Sequence, residues 1–164
     1  MNNVLIRLAK LQDIEVLCGL YAEFHEFHVK GVPDRLISLG ESENYGTRKI
    51  HRDLEKIISG VNSEIFLALV DNKATGFAEV YLREDKPNPA RVASKYGHLQ
   101  SLLVSEAFRR KGVGEKLLEA AENWARARGA TEMRIDTWEF PEGPLRFYEK
   151  TGYRTLRRKL VRGL

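Results

Sequence analysis

The sequence predicts a mixed α/β fold in which a central sheet is covered by helices on both faces. Two observations support this prediction. Short apolar or alternating stretches are typical of strands, and longer stretches with apolar residues three or four apart are typical of amphipathic helices. The elements follow in the order β-α-α-β-β-β-α-β-α-β. A chain of 164 residues is long enough for a real core, and we expect one domain over residues 1–164.

The first half of the chain begins with an alternating strand, Val4 to Arg7. A helix is expected next, because apolar residues recur at helical spacing: Ile14, Leu17, Leu20, Tyr21 and Phe24. A second helix is expected over Arg48 to Ser59. The strands Glu64 to Val70 and Thr75 to Leu82 then form a hairpin around the turn Asp71-Asn72-Lys73.

The second half begins with a loop, Glu84 to Ser94, which holds two prolines and therefore interrupts regular structure. After it we expect a strand, a helix, a strand, a helix and a last strand rich in arginine. Their predicted bounds are His98 to Val104, Glu115 to Arg128, Met133 to Trp138, Pro144 to Thr151 and Tyr153 to Val161.

Composition excludes several function classes. The net charge is only +4, and the basic group between Arg154 and Arg162 lacks interleaved aromatic residues, so we expect no nucleic-acid partner. A charged edge strand that resists aggregation explains that group better. No apolar run approaches the ~20 residues that span a bilayer, so no membrane association is expected. Cys18, the single cysteine, is expected to be a small core residue in a reduced, cytoplasmic setting.

The segment His25-Glu26-Phe27-His28 superficially suggests a metal site. The zinc-protease pattern His-Glu-x-x-His needs one more residue between the histidines. No cysteine or carboxylate cluster completes a ligand set elsewhere in the sequence. We therefore expect no metal, and interpret both histidines as the C-terminal end of a helix.

The most informative segment is Arg109-Arg110-Lys111-Gly112-Val113-Gly114, which lies between a predicted strand and a predicted helix. Its glycines let backbone N–H groups converge on phosphate oxygens, and the helix N-terminus adds unpaired N–H groups. A dinucleotide fingerprint would need a third glycine where Leu117 stands, and no Walker sequence is present. The segment therefore predicts a ligand that carries a pyrophosphate.

This segment resembles the acyl-CoA-binding motif of the GNAT superfamily of N-acetyltransferases, Gln/Arg-x-x-Gly-x-Gly/Ala. The opening Ile-Arg-x-Ala-x-x-x-Asp, from Ile6 to Asp13, looks like the usual N-terminus of that family. The resemblance implies a GNAT-like fold, with a central mixed, mostly antiparallel sheet of six to seven strands, and acetyl-CoA as co-substrate. The cofactor-binding residues that it implies are Leu102, Leu103, Val104, Arg109, Arg110, Lys111, Gly112, Val113, Gly114 and Glu115.

A second signature of the family, Ala-x-x-Phe-Tyr-x-x-x-Gly-Phe/Tyr, resembles the segment Leu145 to Tyr153. The resemblance implies that Tyr148 lies beside the CoA sulfur and donates a proton to the leaving thiolate, since a tyrosine hydroxyl is protonated at neutral pH. The segment departs from the family pattern, because Pro141 and Pro144 stand where Asn and Ala are frequent.

Acetyl transfer to an amine also needs a proton acceptor, because a primary amine with a pKa near ~10 is mostly protonated at neutral pH. His98 falls where histone acetyltransferases of the family carry a glutamate base. Before any bulge is considered, simple alternation places His98 on one face with Gln100, Leu102 and Val104. Glu79, on the neighbouring strand, is the alternative base.

In the family, a bulge separates the fourth and fifth strands, and backbone N–H groups, here near Leu103 and Val104, meet the oxyanion. The resemblance implies direct attack in a ternary complex. A module that binds acyl-CoA without catalysis is the alternative function.

The acceptor is left open between a small-molecule amine, a peptide N-terminus and a protein lysine. His25, His28 and Glu79 are candidate substrate-binding residues. The segment from Val32 to Tyr45 carries Asp34, Glu41 and Glu43, whose charge suits a cationic amine or an ordinary solvated loop. A homodimer is also left open.

Overall fold

A five-stranded sheet forms the centre of the computed structural model, which describes residues 3–39 and 47–164. The strands lie side by side in sequence order, and neighbours run antiparallel except for the last two, which are parallel. They are β1 (Val4–Leu8), β2 (Ser63–Val70), β3 (Lys73–Glu84), β4 (Lys95–Val104) and β5 (Glu132–Ile135). The predicted mixed, mostly antiparallel sheet is confirmed.

Helices cover both faces of the sheet, as predicted. They are α1 (Ile14–Gly31), α2 (Thr47–Ile58), α3 (Val113–Ala127) and α4 (Leu145–Lys150). One apolar cluster joins α3 and Tyr148 of α4 to one face of the sheet. A second cluster joins α1 and α2 to the other face, through residues such as Leu17, Leu54 and Phe77. Each amphipathic helix thus buries its apolar stripe against strands, which is the main stabilising contribution in such a fold.

The hairpin between β2 and β3 forms where the sequence predicts it. Val70 pairs with Lys73 across the turn, and both central residues, Asp71 and Asn72, have positive φ angles of 50° and 64°. Aspartate and asparagine tolerate this conformation, and the resulting twist matches that of the flanking strands.

The prediction of a last strand over Tyr153 to Val161 is wrong, and the described part of the sheet has five strands rather than six to seven. From Tyr153 onwards the chain forms no regular structure, and Leu156 and Leu160 are exposed. The physical reason is the run Arg157-Arg158-Lys159, which breaks the alternation. No continuous apolar face is left whose burial could offset the entropy of ordering a strand.

Two further expectations about the helices concern Cys18 and membrane spans. Cys18 packs beside the cluster of α1 and α2, and burial raises the pKa of its thiol, as expected of a structural cysteine. Among the described residues, no helix is both long enough and apolar enough to span a bilayer.

Candidate active site

The last two strands of the sheet diverge and open a cleft. Pairing between β4 and β5 covers only Tyr96–Leu99 and Glu132–Ile135. Beyond it, β4 continues to Val104 while β5 ends, so the second half of β4 has an open edge. Residues from α1, β4, the end of β5 and α4 line the cleft, among them His28, Gln100, Asp136 and Tyr148.

A one-residue bulge in β4 decides which side chains face which side of the sheet. Ser101 pairs with Glu79 and Leu99 pairs with Val80, which leaves Gln100 as the extra residue. Side chains along a strand point alternately to the two faces of the sheet. One inserted residue therefore interrupts the alternation, and the residues beyond it point to the face opposite to the one that regular alternation would give.

The bulge therefore breaks the simple alternation that would place His98, Gln100, Leu102 and Val104 on one face. Leu99, rather than His98, packs with Leu102 and Val104 in the cluster of α3. His98 consequently projects to the opposite face, which α1 and α2 cover. Glu79 lies on that face too, since it hydrogen-bonds to a side chain of α1.

The open edge of β4 presents backbone groups of alternate residues. The Ser105 N–H donates to the Thr75 carbonyl on the neighbouring β3 at 2.8 Å. In an antiparallel ladder alternate residues face the same neighbour, so Leu103 also faces β3, whereas Leu102 and Val104 face the open edge. These two residues therefore offer the N–H groups that an extended ligand would meet.

The predicted anion loop leads directly into α3. Gly112 precedes the helix with a φ of 75°, and Arg110 has a φ of 60°. The N–H groups from Val113 to Glu115 belong to the first helical turn, and they donate to no backbone carbonyl of the described residues. A Cβ at Gly114 would approach the Phe147 ring within 3.2 Å, so glycine permits close packing of α3 on α4. The loop has the unpaired donors that a phosphate binds.

The basic side chains of the loop differ in their surroundings. Arg110 and Lys111 are exposed, and the Lys111 ammonium also donates to the Ala107 carbonyl at 3.1 Å. Arg109 turns away instead. Its Nε donates to the Val104 carbonyl at 2.8 Å, and its guanidinium lies over the Phe27 ring of α1, 5.0 Å from the ring centre. This link between the loop and α1 was not predicted.

Tyr148 reaches the cleft from α4. Its side chain is 7% exposed and packs against the ring of Tyr153, with ring centres 5.7 Å apart. Burial raises the pKa of the Tyr148 phenol, so its hydroxyl keeps its proton at neutral pH. Pro144 stands at the N-terminus of α4 and lines the cleft, whereas Pro141 is exposed.

His98 and Glu79 are both nearly buried, at 7% and 5% exposure. Burial lowers the pKa of His98, the charge of Arg83 lowers it further, and the carboxylates of Asp136 and Glu79 act in the opposite direction. The imidazole is therefore neutral near pH 7, as a proton acceptor must be.

The Glu79 carboxylate is held by two phenols. Tyr21 of α1 donates to one oxygen at 2.7 Å, and Tyr81 of β3 donates to the other at 2.6 Å. The pKa of each phenol is raised, mainly by burial and also by the nearby carboxylate. Both phenols therefore keep their protons at neutral pH, and together they engage both oxygens of the carboxylate.

The histidines at the end of α1 lie in different surroundings. His28 lines the cleft and its Nδ1 is 2.8 Å from the Phe24 carbonyl, while His25 Nε2 is 2.8 Å from the Ile37 carbonyl. In the described ranges, no three histidine, cysteine or acidic side chains group as metal ligands. Asp34 pairs with the adjacent Arg35 at 3.2 Å. The other acidic residues of that segment, Glu41 and Glu43, lie outside the described residues.

Asp136 is a cleft residue that was not predicted from the sequence. This exposed carboxylate follows β5 directly, lines the cleft and acts on the pKa of His98. Its signal was its position just past the carboxyl end of a strand that runs parallel to its neighbour, where ligands commonly bind. The prediction of a longer strand, Met133 to Trp138, concealed that signal.

Comparisons with known proteins show the family to which the chain is similar. The model of the Acetyltransferase (GNAT) family matches residues 23–153. An aminoglycoside N(6')-acetyltransferase type 1 of Salmonella typhimurium is 33% identical over 85 residues, which cover 52% of this chain and 58% of that protein. The corresponding enzyme of Klebsiella aerogenes is 36% identical over 98 residues, which cover 56% of this chain and 62% of that protein. The chain thus matches less than two thirds of the length of these relatives.

Solved structures share the fold over nearly the whole chain. A mutant of the BH1408 protein from Bacillus halodurans superposes with a TM-score of 0.86 at 24% identity, covering 98% of this chain and 99% of that one. The aminoglycoside N-acetyltransferase AAC(6')-Iy in complex with CoA superposes with a TM-score of 0.74 at 24% identity, covering 100% and 96%.

Proposed function

Since the chain belongs to the GNAT acetyltransferase family, we propose that it transfers the acetyl group of acetyl-CoA to a primary amine by direct attack in a ternary complex. The observation that carries this proposal is the open edge of β4. The anion loop and Tyr148 lie on the α3 side of the sheet at this edge. Glu79 and His98, which still pairs with Arg134 of β5 just before the edge opens, lie on the α1 side. A thioester and an amine can thus approach from opposite faces and meet at the edge.

The cofactor site uses mainly backbone groups. The N–H groups from Arg110 to Glu115 face the pyrophosphate, and the exposed side chains of Arg110 and Lys111 add positive charge. Leu102 pairs with the pantetheine arm along the open edge, as an added strand would, whereas the Val104 carbonyl is engaged by Arg109. The Val104 N–H also faces the thioester oxygen and stabilises its developing charge.

Acetyl-CoA supplies the thioester, whose carbonyl carbon gains the bond to the amine nitrogen as the bond to sulfur breaks. Two groups of the chain handle the protons. His98, neutral because its pKa is lowered, accepts the amine proton directly or through water, and Glu79 is the alternative acceptor. Tyr148 holds its proton at neutral pH and gives it to the leaving sulfur.

The acceptor that we propose is a small cationic amine. The exposed Asp136 carboxylate lines the cleft together with His28 of α1. The nearly buried Glu79 carboxylate lies behind the lining, on the strand next to the cleft residue Ser101. Negative charge in a cleft attracts a cation and raises its rate of encounter. The aminoglycoside acetyltransferases among the relatives support an acceptor that carries several amines.

Thiol release from acetyl-CoA against a panel of amines tests the proposal. The panel contains an aminoglycoside, a polyamine, an arylalkylamine and a lysine peptide. We expect acetylation of the multiply charged small amines above the hydrolysis background, with a product mass increased by one acetyl group. Binding of acetyl-CoA without thiol release for any amine would instead favour the acyl-CoA-binding module.

A further inference from the structure

Two residues of α1, Glu23 and Phe27, contact the segment from Ser105 to Arg109 that leads into the anion loop. The Ser105 hydroxyl donates to the Glu23 carboxylate at 2.8 Å, and the Glu106 N–H donates to its other oxygen at 3.3 Å. One helical turn further along α1, the ring of Phe27 lies under the Arg109 guanidinium. Because Glu23 and Phe27 are four residues apart, they project from the same side of the helix.

The adjacent side of α1 forms a wall of the cleft. Phe24 and His28, again four residues apart, line the cleft. The rings of Phe27 and His28 both pack against Phe140, with ring centres 5.6 and 6.1 Å apart. Phe140 in turn fills the space beside Gly31, where a Cβ would collide with its ring. The end of α1 is therefore packed between the turn and the loop that follows β5.

We infer that Glu23 and Phe27 are positioning residues that couple the cofactor loop to the acceptor side of the cleft. The inference rests on the proposed function. A pyrophosphate on the loop orders the turn from Ser105 to Arg109, and the two contacts extend that order to the C-terminal half of α1. His28 is then held where it contacts the acceptor, so bound acetyl-CoA increases the affinity for the acceptor. By linkage, the acceptor increases the affinity for acetyl-CoA by the same factor.

Hydrogen exchange measured by mass spectrometry tests this coupling with CoA itself as the probe. In the unmodified chain, CoA is expected to slow exchange in the anion loop and also, by about fivefold or more, in the peptide from Glu23 to Gly31. Glu23→Ala and Phe27→Leu should retain the thermal shift with CoA but lose the slowing in α1. Both replacements favour helix, so α1 itself is kept. Lys30→Gln, at an exposed position of the same helix end, is the matched control and should behave like the unmodified chain.

Three results would overturn the inference, and they separate it from the proposed function. A thermal shift with CoA whose exchange effect is confined to β4 and the loop would refute the coupling alone. Slowing in α1 that persists in both variants would mean that CoA contacts the helix directly. The absence of any thermal shift with CoA would refute the proposed function and the coupling together.

Discussion

The Tyr21 hydroxyl of α1 donates a 2.7 Å hydrogen bond to the Glu79 carboxylate of β3. This contact joins the helix that walls the cleft to the strand that borders the bulge. Glu79 pairs across the strands with Ser101, which lines the cleft. In the proposed function, Glu79 would thus act on a cationic amine from just behind the wall of the cleft.

Replacement of Glu79 by glutamine should weaken acceptor binding. The amide keeps the shape but loses the charge, and a hydrogen bond to a charged group contributes about 1.5–3 kcal/mol. The KM of the amine should thus rise by about 10- to 100-fold, with an unchanged thermal shift for acetyl-CoA. Glu84→Gln, at the exposed end of the same strand, is the control. A loss of kcat at constant KM would instead make Glu79 the base.

The Tyr148→Phe variant tests the proton donor. Phenylalanine preserves packing in the cluster of α3, but it has no proton for the leaving sulfur, so kcat should fall by about 100-fold or more. Acetyl-CoA binding, followed by thermal shift, should be retained. In the control, Tyr153→Phe, the hydroxyl that bonds to Glu122 is lost, and we expect a lower melting temperature with nearly normal kcat. Normal turnover of Tyr148→Phe would leave the residue a structural role only.

His98→Gln tests the base through the pH profile. A general base works when neutral, so kcat/KM of the unmodified chain should rise with pH through the pKa of His98. Burial lowers that pKa, so the acidic limb should lie below the ordinary value of about 6.5. The variant should lose about 10²- to 10⁴-fold in kcat/KM, recovering partly at high pH as free amine accumulates. His51→Gln, on α2, should leave the profile unchanged. An intact acidic limb in His98→Gln would transfer the role to Glu79 or to water.

Gly112→Asp tests the anion loop. The new side chain brings negative charge to the phosphate site, so the thermal shift with acetyl-CoA should disappear. A positive φ of 75° also makes any side chain unfavourable there. Gly129→Asp controls for this strain, because Gly129 has a φ of 86° just beyond the other end of α3. Gly129→Asp should lower the melting temperature but keep the thermal shift with acetyl-CoA. An unchanged thermal shift in Gly112→Asp would instead show that the anion loop is misassigned.

Local patterns were sufficient for most of the elements, though not for the last predicted strand, and they predict the anion loop. The apolar spacing of α1 and α3, the Asp71-Asn72 turn and the glycines before α3 act over a few residues, so their physical preferences can be read along the chain. For the same reason the sequence alone indicates Tyr148 and the loop as candidates. The sequence by itself therefore determined the fold class, and for the loop it predicts a ligand that carries a pyrophosphate.

Only the tertiary structure decided which side chains meet. The bulge at Gln100 depends on how β4 pairs with β3, and it moved His98 to the face of Glu79. The contact of Arg109 with Phe27 joins residues far apart in the chain, and Asp136 faces the cleft because β5 ends early. Strand register and helix docking are set by the packing of the whole core, and a one-residue shift reverses a strand's faces without changing its local pattern.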